Sequence, residues 1–224
     1  MPADDRPLVP ILLILSVVTG IVDAVSVIGL GKVFVANMTG NIVFLGFAVV
    51  GTPGFHFAPL LAALACFLIG ALIAGRSLTR PLEQRTLRGH VSVEAVLLLI
   101  AAAAAIGYDP QALAPGWQLY AIIALTGVAM GYRNATIRHL KVPELTTTVL
   151  TLTLTGLAAD SSPAGGTNPN WRRRLGSVAC IGAGAAGGAV MLLRAGMVLP
   201  LVVAGLLVLV AASLCPGKAI VSPA

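Results

Sequence analysis

Charge is scarce in this chain. Asp, Glu, Lys and Arg make up 10% of its 224 residues, against roughly 25% in an ordinary soluble domain. A water-soluble fold needs a polar face on nearly every element, and too few polar side chains are present to supply one. With 58% hydrophobic residues and a mean hydropathy of +0.97, lipid is the expected solvent. Cysteine is scarce too. Cys66, Cys180 and Cys215 are scattered through apolar stretches without metal-ligand or redox spacing, so they read as buried free thiols. His56 and His139 belong to no metal or triad pattern, and no nucleophile stands beside a base. Neither an enzyme, nor a metal site, nor a cofactor is expected. The net charge of +6 comes mostly from arginines between apolar stretches. That pattern fits membrane orientation, and no folded basic domain exists to hold a nucleic acid.

What is present in abundance is long apolar sequence. A spanning helix needs about 20 mostly apolar residues, and eight stretches qualify: 8–30, 33–52, 59–75, 91–107, 117–132, 142–159, 175–193 and 197–215. The second, fifth and sixth are shorter or more polar, so seven spans are also compatible. A membrane β-barrel needs alternating segments, and runs such as Leu97–Ile106 do not alternate. The fold class expected is all-α, a polytopic transmembrane bundle of seven or eight helices in one domain over 1–224, with the lipid bilayer as its partner. The leader Met1–Pro7 carries Asp4, Asp5 and Arg6 and lacks the positive excess of a signal peptide, so the first stretch reads as an uncleaved helix.

Loop charge gives an orientation. If all eight stretches span, Lys32, the group Arg76–Arg88, the group Arg133–Lys141 and Arg194 share the cytoplasmic side, and both termini lie outside. Arg172, Arg173 and Arg174 then fall on the wrong side. A re-entrant second or sixth segment would change the parity.

The chain also resembles itself. Offset by 107 residues, Thr19-Gly20 falls on Thr126-Gly127, Val35 on Val142 and Thr39 on Thr146, with six identities over Leu12–Val50. The expected repeat units are 8–107 and 117–215. Four helices per unit would make them parallel. The pairs Gly20/Ala24 and Gly127/Gly131 are small residues four apart, suited to close helix contact.

Polar residues inside apolar stretches ask for a reason, because an ionised group there costs about 2.5–3.5 kcal/mol. Asp23 is the sharpest case, a hydrogen-bonded carboxyl of the bundle interior or a structural partner for a helix end. Asn37, Thr39 and Asn41 follow Gly29 and Gly31, which suit a backbone break. They read equally as a polar site on broken backbone and as a capped helix start with Asn37 as N-cap. In the second unit Thr146, Thr147 and Thr148 follow Pro143 and Glu144, and Thr147, Thr151 and Thr155 make one helical stripe. Arg133 and Asn134 follow Gly131 and Tyr132. Arg133 reads as a snorkelling base or as a partner of Asp23, and Glu94 as a side chain snorkelling toward the basic loop. Gly184 and Gly188 form a GxxxG face, for packing within the chain or for a homo-oligomer.

The runs Thr19–Ser26, Gly29-Leu30-Gly31 and Val33-Phe34-Val35-Ala36-Asn37-Met38-Thr39-Gly40-Asn41 closely resemble the YoaK family, bacterial membrane proteins also labelled DUF1275. Gly131–Ala135, Val142-Pro143 and Thr147–Thr151 fit the same pattern, with Tyr132 and Glu144 departing from it. The resemblance implies a multi-spanning bacterial inner-membrane protein, and it brings no substrate. Two functions compete. One is a transporter-like protein for a small polar solute or ion, with Asp23, Asn37 and Asn41 meeting Thr146–Thr148 near mid-membrane. The other is a membrane scaffold or partner-binding protein.

Overall fold

The computed structural model describes residues 8–78, 84–110, 116–140 and 150–215. They form α1 (Val9–Gly29), α2 (Met38–Val49), α3 (Phe57–Ser77), α4 (Gln84–Ala104), α5 (Trp117–Leu140), α6 (Leu150–Ala159), α7 (Trp171–Ala195) and α8 (Val198–Ser213). Among the described residues there is no strand. The result is a helical membrane bundle. By length and composition α1, α3, α4 and α7 are each able to cross a bilayer.

Two apolar clusters mark the two ends of the bundle and fix the direction of each helix. One gathers Leu8, Leu12 and Leu15 of α1, Ala74 and Leu78 from the end of α3, Leu87 and Val91 of α4, Ile137 and Leu140 of α5, and Ala211 and Ala212 of α8. The other gathers Val25 and Leu30, Leu60 and Ala63 of α3, Ala101 and Ala105, Leu119 and Ile122 of α5, Leu192 of α7, and Met197 and Leu201. Helix α7 starts at the first end, where Ser177 and Ser16 share a 3.3 Å hydrogen bond. Thus α1, α4 and α7 run one way and α3, α5 and α8 run the other. The first end carries Arg76, Arg88, Arg138 and Arg172–Arg174 and is the basic end. The other holds Lys32, Arg194 and Asp109, and is called the open end for the cavity described below.

Helix α2, and α6 as far as it is described, are shorter than a span. Twelve residues of α2 span about 18 Å and ten of α6 about 15 Å, against a hydrocarbon core of about 30 Å. After α1 ends, Gly31 and Lys32 take left-handed backbone conformations (φ 79° and 61°) and turn the chain back into the bundle. Leu30 and Val33 belong to the open-end cluster, whereas Val35 and Ala36 reach the basic-end cluster. Helix α2 then climbs back, because Phe44, Leu45 and Ala48 pack on the open-end cluster again. The Lys32 ammonium sits 4.7 Å from the centre of the Phe55 ring, closing the hairpin. Helix α6 likewise ends where α7 begins. The Arg174 guanidinium lies against Gly156 and pairs with Asp160 at 2.6 Å. Leu140, the last residue of α5, lies at that same basic end.

Several expectations change. The stretch 33–52 is helical only from Met38, and that in 142–159 is described only from Leu150. Eight helices are described, the larger number expected, and six of them, α1, α3, α4, α5, α7 and α8, run from one end of the bundle to the other. Lys32 and Arg194 lie opposite the Arg76–Arg88 group, Arg172–Arg174 join that group, and the chain begins and ends its described part at the basic end. The expected parallel relation also reverses. Helix α1 runs from the basic end to the open end, whereas α5 runs from the open end to the basic end. Of the threonine stripe, Thr151 and Thr155 are exposed while Thr153 is buried, and Thr147 lies outside the described residues.

The long axial contacts are α1 with α7 and α3 with α5, each running in the same direction. Backbones touch at both. A Cβ on Gly20 would overlap the Ile181 carbonyl, one on Gly184 the Val17 carbonyl, and one on Gly131 the Phe67 carbonyl. Gly188 faces Ile21. The Gly184/Gly188 face is thus filled by α1, and a homo-oligomer through it would require prising α1 off α7.

Candidate functional site

The interior of the basic end holds an ion pair that lipid-facing logic does not explain. Glu94, ten residues into α4, is 1% exposed, and Arg133 of α5 is 3% exposed. The Arg133 Nε lies 3.4 Å from Glu94 Oε1. Its Nη1 donates to the Leu15 carbonyl of α1 at 2.6 Å, and its Nη2 donates to Met130 Sδ at 2.7 Å. Both Glu94 oxygens and Arg133 Nε lack a hydrogen-bond partner. A buried polar group in that state costs about 1–3 kcal/mol, more when charged, so this pair is not explained by stability. Beside it is a cavity of about 10 Å³ lined by His90, Glu94, Arg133 and Thr136 and by leucines of α1, α4 and α5. That is room for about one water molecule. His90 is buried, hydrogen-bonds through Nε2 to Ser77 Oγ at 2.9 Å, and stacks on Tyr132 at 5.5 Å.

The open end is different. A cavity of about 510 Å³ is lined by Gly29–Gly31, His56–Pro59, Tyr108–Pro110, Gly116, Leu119 and Tyr120. This volume is in the range of small-molecule sites. Its polar groups are His56, Asp109, Tyr120, Tyr108 and the turn backbone. The Tyr108 hydroxyl donates to the Gly29 carbonyl at 3.1 Å. Burial and the neighbouring Asp109 carboxylate push that phenol above its usual value, so it stays a neutral donor.

Between the two ends lies the re-entrant segment. Asp23 Oδ1 accepts the Ala36 N–H at 3.3 Å. Asp23 is six residues before the end of α1, so this bond pins the segment about 9 Å into the bundle. Asn41 is 0% exposed. Its Oδ1 accepts the Phe34 N–H at 2.8 Å and its Nδ2 donates to the Phe34 carbonyl. Non-helical backbone at membrane depth needs such protein partners. Asn37 caps α2 by accepting the Gly40 N–H at 3.3 Å.

The expected site residues therefore separate. Asp23 and Asn41 hold the hairpin. Asn37 and Thr39 are exposed. Arg133 is central, paired with Glu94 and not with Asp23, and Asn134 turns back to the Met130 carbonyl at 2.8 Å. Thr146, Thr147 and Thr148 lie outside the described residues. The sequence reading missed Glu94, taken as snorkelling, and His90. Their spacing of four along a helix, one turn apart on the same face, was the available signal.

A family model described as "Protein of unknown function (DUF1275)" matches residues 11–213. The chain is 32% identical over 155 residues to the UPF0700 transmembrane protein YoaK of Bacillus subtilis (strain 168). That alignment covers 68% of this chain and 66% of the relative, just under two thirds of its length. No solved structure matches. With the family model matching residues 11–213, from α1 through α8, the chain belongs to the DUF1275 family of membrane proteins.

Proposed function

We propose that this protein carries a small polar solute or ion across the bacterial inner membrane, with its basic end in the cytoplasm. The observation that carries the reading is the opposed direction of the two halves, each with a short helix, α2 or α6, between longer ones. The helix contacts support an origin in duplication of 8–107 and 117–215. Exchanging α1 with α5, α2 with α6, α3 with α7 and α4 with α8 turns α1·α7 into α3·α5, α1·α8 into α4·α5 and α2·α3 into α6·α7. Halves related by a two-fold axis in the membrane plane, with broken segments, are a recurring design of transporters. The cavity at one end and the closed ion pair at the other fit one state of an alternating-access cycle. The excess of arginine at the basic end fits a cytoplasmic location. The scaffold reading is left without the Gly184/Gly188 face, which α1 occupies.

The test is solid-supported-membrane electrophysiology on proteoliposomes, with jumps of amino acids, small carboxylates, amines and inorganic ions. We expect a transient current for at least one class, reduced at least tenfold by Tyr120→Ala or Asp109→Ala at the cavity. Monodisperse, reconstituted protein that gives no current with any of them contradicts the proposal.

A further inference from the structure

We propose that Glu94 is a proton-binding site, loaded from the basic end through His90, and that its proton controls the link between the two halves. The proposal rests on the transport reading for its purpose but not for its chemistry. Glu94 belongs to the first half. Arg133, its partner, belongs to the second half and is tied in turn to Leu15 of the first. The pair is therefore a cross-brace of α4, α5 and α1. Its geometry is incomplete, since neither Glu94 oxygen has a hydrogen-bond donor in place, and a carboxyl in that position gains one donor of its own when protonated.

Among the described residues, the groups facing Glu94 are few. On its own helix, one turn toward the basic end, is His90. On α5 are Arg133, the Tyr132 ring stacked on His90, and Thr136. From α1 come only Leu8, Ile11, Leu12 and Leu15, and Asp23 acts on Arg133 from farther along that helix. Helix α8 packs on α4 and brings Ala204, Val208 and Ala211 to the same apolar cluster, with Cys215 packed against it, and Ser77 at the end of α3 bonds His90. His90 shares the one-water cavity with Glu94, and an imidazole can both accept and donate a proton through its ring nitrogens. The step balances simply. Imidazole takes a proton from water of the basic end. The imidazolium passes it to the Glu94 carboxylate, which leaves neutral imidazole and a neutral carboxylic acid. The positive charge of Arg133 then has no counter-ion on α4, and the brace between α4 and α5 is released.

The test is pH-difference infrared spectroscopy on the detergent-purified full chain, with glutamate labelled with ¹³C in its side-chain carboxyl. We expect a carboxyl band that titrates, shifts with the label, and persists in Asp23→Asn. It persists in the double variant Glu83→Gln/Glu144→Gln, which leaves Glu94 as the remaining glutamate, and disappears in Glu94→Gln. Because the double variant does not touch the pair, the experiment survives a Glu94→Gln protein that fails to fold. His90→Gln should keep the band and slow proton uptake after a pH jump at least tenfold. A band insensitive to the label, or lost in the double variant, overturns the Glu94 site, and an unchanged uptake rate overturns the His90 route. An intact band without solute currents removes the transport reading alone. Solute currents without the band remove this proposal alone.

Discussion

At the basic end, Leu8, Leu12, Leu87 and Leu140 close around Glu94 and Arg133 and leave about 10 Å³. At the open end, Gly29–Gly31, His56, Tyr108 and Tyr120 surround about 510 Å³. The helices are the same at both ends, so the contrast lies in what joins them. At the open end the first hairpin folds back from the glycine turn at Gly31, and its aromatic residues Phe34, Phe44, Phe47 and Phe55 pack on one another beside the cavity. At the basic end long leucines converge from α1, α4 and α5 around the Glu94–Arg133 pair and leave room for about one water. A bundle can thus be sealed on one side by an ion pair and left open on the other by a backbone break.

The contrast can be broken most severely at the seal. Glu94→Ala leaves Arg133 buried without a counter-ion and should destabilise the protein by about 3–5 kcal/mol, read by thermal or denaturant unfolding in detergent. Glu94→Leu/Arg133→Met should recover most of that loss. A snorkelling Glu94 would instead give a change near zero for the single substitution. The hairpin comes next. Asn41→Leu strands the Phe34 N–H and carbonyl inside the bundle, at about 1–3 kcal/mol for each group. Asn37→Ala, which removes a single cap, should cost about 1 kcal/mol. Equal effects of the two would show that Asn41 does not hold the re-entrant backbone. The smallest effect is expected at the second hairpin, where Asp160 is 44% exposed in its pair with Arg174. Asp160→Asn should cost less than about 1 kcal/mol and the loss should shrink in high salt.

The helices of this fold are legible in the sequence because lipid demands long apolar runs, and α1, α3, α4, α7 and α8 fall close to where those runs lie. The hairpins are not, because the residues of 33–52 are as apolar as those of a span. What separates them is the Gly31–Lys32 turn and Asn41, whose partner Phe34 is found only once the chain folds back. The direction of the second half follows from that one distinction, and the parallel relation of the two units fails with it. Arg172–Arg174 carried the warning, since they fit the charge rule only when a segment re-enters. Glu94 was hidden differently. Its neighbour His90 and the nearby arginines suggested a solvated helix end, and its true partner is distant in sequence.

The central claim is that the chain between α1 and α3 returns to the end from which it came. Introduce single cysteines at Lys32, Pro53 and Arg173 into a background with Cys66, Cys180 and Cys215 replaced, and label intact cells with a membrane-impermeant maleimide. The account predicts that positions 32 and 53 label together from outside, while 173 labels only after the membrane is opened. Labelling of 32 and 53 from opposite sides would contradict it.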